Sequence, residues 1–199
     1  MTLFSDAIAF AAKVHEGAVR KGTDIPYIVH PMEAAAIAAT LTCEEAVLAA
    51  AVLHDVIEDG GVTEQELEAR FGSCVTQIVL AETQLMRGDP KESWNERKQE
   101  SLRQIGEGDR MQRIVALGDK LSNMRAICRD YEQLGEALFF RFHQHDKRRH
   151  AWYYRSCAAL LREELGNTAA WRELNSLIEY VFADCPRGAC AGNEEACAV

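Results

Sequence analysis

The stretch EAVLAAAVL, residues 45 to 53, carries one charge at its start and only apolar residues after it. A helix that is apolar all round offers no face to water and must lie in the middle of other elements. Directly after it comes HDVIED, where His54, Asp55, Glu58 and Asp59 crowd one imidazole and three carboxylates into six positions. Burying such groups is costly unless each finds a partner. The fold must therefore enclose residues 45–53 and supply something that satisfies the ionisable groups at their end.

The rest of the chain reads as helices that could do the enclosing. SDAIAFAAKVHEGAVRKG spaces Ile8, Ala11, Ala12 and Val14 for one apolar face, with Gly22 as a stop. GTDIPYIVHP is a loop, and Pro31 suits the first residue of a helix over PMEAAAIAATL. TCEE at 42–45 and TEQE at 63–66 read as capping boxes, Thr42 with Glu45 and Thr63 with Glu66. Further helices are expected over about 73–87, 92–106, 109–130, 134–165 and 168–183. No strand alternation and no internal repeat interrupts the pattern. The expectation is an all-α chain, with residues 1–183 forming a single bundle of roughly eight to ten helices. Residues 184–199, rich in Gly, Ala and Cys, read as a disordered tail.

Composition narrows the function. With 22 basic against 31 acidic residues the net charge is −9, which argues against coating a nucleic acid but not against a local phosphate site. MTLFSDAIAFAAKVHEG lacks the basic start and apolar run of a secretory signal, and no apolar stretch is long enough to span a membrane. No membrane partner and a cytoplasmic location are expected. Seven cysteines without a C-x-x-C pair do not form a disulfide framework. Cys43, Cys74, Cys128 and Cys157 are expected to act as small apolar fillers.

The chemistry concentrates around residues 54–59. On a helix, His54 and Glu58 are four apart, as are Asp55 and Asp59, and the four share an arc of about 140°. Helix residues alone would leave an ion under-coordinated, so further ligands must come from elsewhere. His30 in PYIVHP and Asp119 in VALGDKLSNMR are the candidates, the latter an acid directly after an apolar run. Two imidazoles and two carboxylates suit a borderline or hard ion such as manganese, iron or zinc. His15 reads as a core group, and His143 and His145, which do not share a helical face, as surface groups.

The order His, then His-Asp, then a distant Asp resembles the HD-domain metal-dependent phosphohydrolases. Together with VHEGAVRKGTDIPYIVHP, LHDVIED, VTEQELEARFG, RKQ and GDKLSNMR, it resembles the hydrolase domain of the Rel/Spo stringent-response enzymes over roughly residues 3–183. At this length the chain looks most like the stand-alone small alarmone hydrolases, and no synthetase domain is expected.

The resemblance implies that His30, His54, Asp55 and Asp119 hold one divalent ion, usually manganese in that family, with zinc or iron as alternatives. It implies that Glu58 and Asp59 form an acidic pair handling water and protons, their division of roles left open. It also implies substrate contacts from Arg20 and Lys21 in AVRKG, Lys98 in NERKQ, Asn123 in KLSNM, and Arg149 and Tyr153 in RHAWYYR. Trp152 or Tyr154 could take the place of that tyrosine. The implied reaction removes the 3′-diphosphate of guanosine 3′,5′-bis(diphosphate), ppGpp or pppGpp, giving GDP or GTP and pyrophosphate. Adenosine alarmones and NADPH are alternative small-molecule nucleotide substrates, and a non-enzymatic nucleotide-binding module is a third reading. Two residues depart from the family pattern: Gly60 stands where threonine is frequent, and Gly118 where alanine is usual.

Overall fold

The apolar run becomes α3 (Glu45–Leu53), in which Val47 and every residue from Ala49 to Leu53 is buried. In the computed structural model, which describes residues 2–83 and 93–187, α3 is enclosed by α1 (Leu3–Val14), α2 (Val29–Ala38), α4 (Glu64–Glu82) and α6 (Arg110–Leu134). A second helix is enclosed in the same way. Every residue of α6 from Ile114 to Ser122 is buried, because α2, α3 and α4 pack on it together with α5 (Trp94–Glu107), α7 (Lys147–Leu165) and α8 (Ala169–Val181). A 3-10 helix, Gly135–Arg141, also packs against it. The described residues thus form eight α-helices and one 3-10 helix, the expected all-α bundle.

Local sequence sets most of the boundaries. Thr63 and Glu66 form the expected capping box on α4, and Asp109 with Gln112 forms another on α6. Gly72 adopts φ 82°, open to glycine at little cost, so the helix opened at Thr63 and the one expected from about residue 73 join as α4 across a kink. Thr42 and Glu45 do not form a box. Thr42 Oγ accepts the Glu44 N–H in a tight turn, so α3 starts late, and Glu45 Oε1 accepts the Phe4 N–H at the start of α1. Pro31 is the third residue of α2 rather than the first, still in the turn whose N–H groups need no intrahelical partner. The expected 134–165 helix divides where Gly135 takes φ 57°, and α7 restarts only after Asp146 caps the Arg148 N–H.

Cys128 and Cys157 are buried as expected, whereas Cys43 and Cys74 are exposed. The packed region runs past residue 183: Asp184 accepts from Lys147 at 2.7 Å, and Arg155 donates to the Phe182 and Cys185 carbonyls. Residues 188–199, with Cys190 and Cys197, and residues 84–92, which include the end of one expected helix and the first residue of the next, lie outside the described residues. No helix among the described residues is long and apolar enough to cross a membrane.

Candidate active site

Enclosure of α3 and α6 by α2 brings three distant segments to one point. His30 comes from the first turn of α2, His54 closes α3, Asp55 follows it, and Asp119 sits in the middle of α6. His54 Nε2 lies 3.2 Å from His30 Nε2, 3.0 Å from Asp55 Oδ2 and 3.7 Å from Asp119 Oδ1. His30 Nε2 lies 3.2 Å from Asp119 Oδ1 and 3.6 Å from Asp55 Oδ2. Both imidazoles are buried, at 4% and 2% exposure. The motif is not on a continuous helix, as the four-residue spacing suggested. The helix gives way at His54, whose ring donates to the Ala51 carbonyl, and residues 55–60 run as turns with a single helical bond from Asp59 N to Asp55 O.

The outward nitrogens decide what the inward ones can do. Ala51 O only accepts, so His54 Nδ1 carries the hydrogen and, in the neutral ring, Nε2 presents a lone pair inward. Ser122 Oγ donates to Glu33 Oε2 at 2.7 Å, leaving its lone pair for His30 Nδ1–H at 2.8 Å. His30 Nε2 therefore also presents a lone pair. Two imidazole lone pairs and two carboxylates facing one point repel unless a cation sits among them, and this donor set fits a divalent ion. His30, His54 and Asp55 bring one ligand atom each to within 4.8 Å of one another. Burial opposes an imidazolium at His54, but the Asp55 and Asp119 carboxylates outweigh it and push its pKa up to about 10. The centre calls for positive charge.

Asp119 is held on both oxygens. Lys120 pairs with its Oδ2 and also with Glu82 at 3.1 Å, while Asn123 Nδ2 donates to Oδ1 at 2.5 Å. Burial opposes ionisation of Asp119, yet the Lys120 ammonium and His30 keep its carboxyl well below the usual range. Asn123 in turn accepts from Arg20 at 2.7 Å, and the Arg20 guanidinium lies 5.6 Å from the centre of the Tyr27 ring. The Tyr27 hydroxyl reaches Asp55 Oδ2 at 2.7 Å and Asp59 Oδ2 at 2.8 Å, so one proton is shared between two acids. Burial and those two carboxylates raise the Tyr27 pKa, which keeps that proton on the phenol. The His15 ring packs against Tyr27 at a tilt of 41°, ring centres 4.9 Å apart.

These groups line a cavity of about 220 Å³ that also takes in Glu58, Asp59, Lys98, Tyr153 and Tyr154. Lys98 Nζ lies 4.6 Å from the Tyr153 ring centre, and burial lowers its pKa to about 8. Lys21 lines the two adjoining cavities instead. Trp152 lines none of the three, and Arg149 donates to Asn95 Oδ1 at 3.1 Å without lining any of them. His143 and His145 are exposed, while His150 turns inward onto the Gln144 carbonyl. Gly60 is required by its neighbours: a Cβ there would meet Val14 Cγ1 at 2.1 Å and the Val56 carbonyl at 2.6 Å. Tyr27, Glu82, Lys120 and Ser122 went unassigned in the sequence, although a lysine inside an apolar run already signals a buried partner.

The profile of the HD domain matches residues 7–142, more than half of the chain, and spans His30, His54, Asp55 and Asp119. The chain belongs to the HD-domain family. This HD domain is 36% identical over 132 residues to a GTP pyrophosphokinase of Myxococcus xanthus, covering 64% of this chain and 17% of the relative. It is 36% identical over 120 residues to the guanosine-3′,5′-bis(diphosphate) 3′-pyrophosphohydrolase of Vibrio cholerae, covering 59% and 17%. The chain thus spans about 17% of the length of these relatives. Among solved structures, the HD domain superposes with a TM-score of 0.69 on a metazoan SpoT orthologue described as hydrolysing ppGpp, at 23% identity, covering 92% of this chain and 96% of the other. A Listeria monocytogenes protein gives a TM-score of 0.68 at 24% identity, covering 77% and 99%. At these identities the superpositions show a shared fold.

Proposed function

We propose that this HD domain hydrolyses the 3′-diphosphate of guanosine 3′,5′-bis(diphosphate) or of its 5′-triphosphate counterpart, releasing GDP or GTP respectively, together with pyrophosphate. The observation that carries the reading is the convergence of His30, His54, Asp55 and Asp119 in one cavity with Glu58, Asp59, Arg20 and Lys98. The Vibrio cholerae relative bears the name of this activity, and the metazoan SpoT orthologue is described as hydrolysing the same compound.

The four inward side chains would hold a divalent ion, a class the donor set fits, and the family resemblance points to manganese within it. Once bound, such an ion neutralises charge on the phosphoryl oxygens and acidifies water. The remaining work falls to the chain. Glu58 and Asp59 line the cavity beside the ligands and are the bases available to take a proton from the attacking water. Tyr27 fixes the Asp59 carboxylate by a hydrogen bond and so sets where that acceptor lies. Arg20, held by Asn123, and Lys98 bind phosphate oxygens and stabilise charge as the phosphorus–oxygen bond to the ribose breaks. The oxygen released on the 3′ carbon takes up a proton from the cavity acids or solvent. The proposed compartment is the cytoplasm.

The test is incubation of purified protein with manganese and the guanosine substrate, with products separated by anion exchange. Pyrophosphate and GDP are expected, with no product from Asp55→Ala or His54→Ala and slow turnover with retained metal in Glu58→Gln. Full activity in metal-free Asp55→Ala would refute the proposal. So would activity confined to adenosine alarmones or NADPH.

A further inference from the structure

Release of pyrophosphate requires the bond between phosphorus and the ribose 3′ oxygen to break, and an alkoxide leaves poorly unless it is given a proton. Glu58 and Asp59, which line the acid cavity, are the groups that take a proton from water. Attacking and leaving oxygens lie roughly in line on phosphorus, so the donor to the departing oxygen belongs on the other side, where the nucleotide leaves that cavity. The acid cavity holds about 220 Å³ and is lined by charged and polar groups, so the nucleoside extends into one of two adjoining cavities of about 260 and 180 Å³. The 3′ oxygen, which joins the two parts, then sits at a boundary between cavities.

The residues that line both the acid cavity and an adjoining one are Arg20, Tyr27, Asn123 and Tyr154 on one side, and Lys98, Tyr153 and again Tyr154 on the other. All but Lys98 keep their hydrogens. A guanidinium does not release its proton, and an amide has none to give. The Tyr27 hydroxyl is engaged by Asp55 and Asp59 at 2.7 and 2.8 Å. The Tyr153 hydroxyl lies 3.0 Å from Ser101 Oγ, and burial pushes its pKa and that of Tyr154 well up. Lys98 also differs from the other lysine of the cavity. Lys120 is held by Asp119 and, at 3.1 Å, by Glu82. None of the ion pairs among the described residues includes Lys98, whose Nζ lies instead 4.6 Å from the centre of the Tyr153 ring. The charges that act on it are Lys120 and Asp119 of α6, Glu58 after α3 and Arg97 of its own helix, with His150 and Cys157 of α7 nearby. Burial first, and then the like charge of Lys120, bring its pKa down to about 8. Such an ammonium is charged when the nucleotide binds and still able to part with its proton.

We propose that Lys98 is the catalytic acid that protonates the ribose 3′ oxygen as its bond to phosphorus breaks. The inference rests on the hydrolase reading above and assigns one step of it. A bond forms between the water oxygen and phosphorus, and the proton of the water passes to Glu58 or Asp59. The bond from phosphorus to the 3′ oxygen breaks. That oxygen keeps the electron pair and takes the Lys98 proton, which leaves a free hydroxyl and a neutral amine. The amine regains a proton from the protonated carboxyl through solvent, so the net change is one water added across the ester. Binding phosphate by charge alone would not call for a lysine, since arginine does that as well.

The experiment uses the full chain with manganese, as wild type and as Lys98→Arg, which keeps the positive charge but cannot donate a proton at neutral pH. Two substrates are compared: guanosine 3′,5′-bis(diphosphate) and its analogue with sulfur as the 3′ bridging atom, which departs as a thiolate and needs no proton. On the oxygen compound Lys98→Arg is expected to lose roughly a hundredfold or more in kcat, with KM little changed. On the sulfur compound it should run close to the wild-type rate. In wild type, kcat on the oxygen compound should fall as pH rises through about 8, and that fall should vanish with sulfur, a comparison that needs no variant. Calorimetric binding of GDP to Lys98→Arg should match wild type and show that the variant is folded. Unchanged kcat in Lys98→Arg, the same loss on both substrates, or wild-type pH profiles alike on both would overturn the assignment while leaving the hydrolase reading standing. Failure of wild type on the oxygen compound would instead remove the hydrolase reading, and the assignment with it.

Discussion

Gly118 of α6 lies so close to the Ala34 carbonyl of α2 that a methyl group in place of its hydrogen would come within 2.6 Å of that oxygen. This contact sits one residue before Asp119 and four after His30, and it sets how near those two side chains come, 3.2 Å apart. Alanine there would gain about 1 kcal/mol of helix propensity. The clash is with backbone, however, and overpacking of this kind costs about 1–3 kcal/mol. Gly118→Ala should therefore be less stable on thermal melting and bind manganese more weakly by calorimetry. A higher melting temperature with unchanged affinity would show that the helices have slack.

The chain from His30 through Ser122 to Glu33 ends on Arg125, which donates to Glu33 at 3.0 Å and to Glu173 of α8 at 2.7 Å. Such partners orient a ligating imidazole and typically change metal affinity about 10- to 100-fold when removed. Ser122→Ala and Glu33→Gln should each weaken manganese binding to that extent while keeping the helical content. Nitrogen NMR of the His30 ring should report a mixed tautomer in Ser122→Ala. A single Nδ1–H tautomer with unaltered affinity would count against the role given to the serine.

Tyr27 is the least obvious participant, a phenol held between Asp55 and Asp59. Tyr27→Phe removes one oxygen and leaves the ring against His15. The expected result is a normal melting temperature with kcat lowered on the order of tenfold, as for loss of one charge-assisted hydrogen bond. Unchanged kcat with a normal melting temperature would remove Tyr27 from the mechanism.

Lys98 supplies a pH dependence with a definite sign. Burial lowers its pKa to about 8, so the ammonium that attracts phosphate is lost as pH rises through that value. KM for the nucleotide should rise above pH 8 in wild type, from a higher starting value and without that inflection in Lys98→Met. Stability should run the other way. The unfolded lysine holds its proton up to its ordinary value near 10.5 and the folded one does not, so folding releases a proton and stability rises with pH between the two.

Much of this arrangement was legible before any coordinates. EAVLAAAVL had to be enclosed, and α3 is enclosed; His30, His54, Asp55 and Asp119, distant in sequence, come within a few ångströms of His54 or His30. What escaped the sequence depended on contacts across the fold. The TCEE box failed because the Glu45 carboxylate is taken by the Phe4 N–H, 41 positions away. The helix through HDVIED broke because the His54 ring competes for the Ala51 carbonyl. Arg149 shares a helical spacing with Tyr153, yet its guanidinium donates to Asn95 of α5 and it lines none of the three cavities described. Gly60 and Gly118 looked like departures from a pattern and proved to be places where Val14 and Ala34 leave no room for a side chain.

The most direct test is diffraction from crystals grown with manganese, recorded at that metal's absorption edge. The account predicts one anomalous peak within bonding distance of Nε2 of His30 and of His54 and of carboxylate oxygens of Asp55 and Asp119. Density with no peak among those four side chains, or a peak bound elsewhere while they point apart, would contradict it.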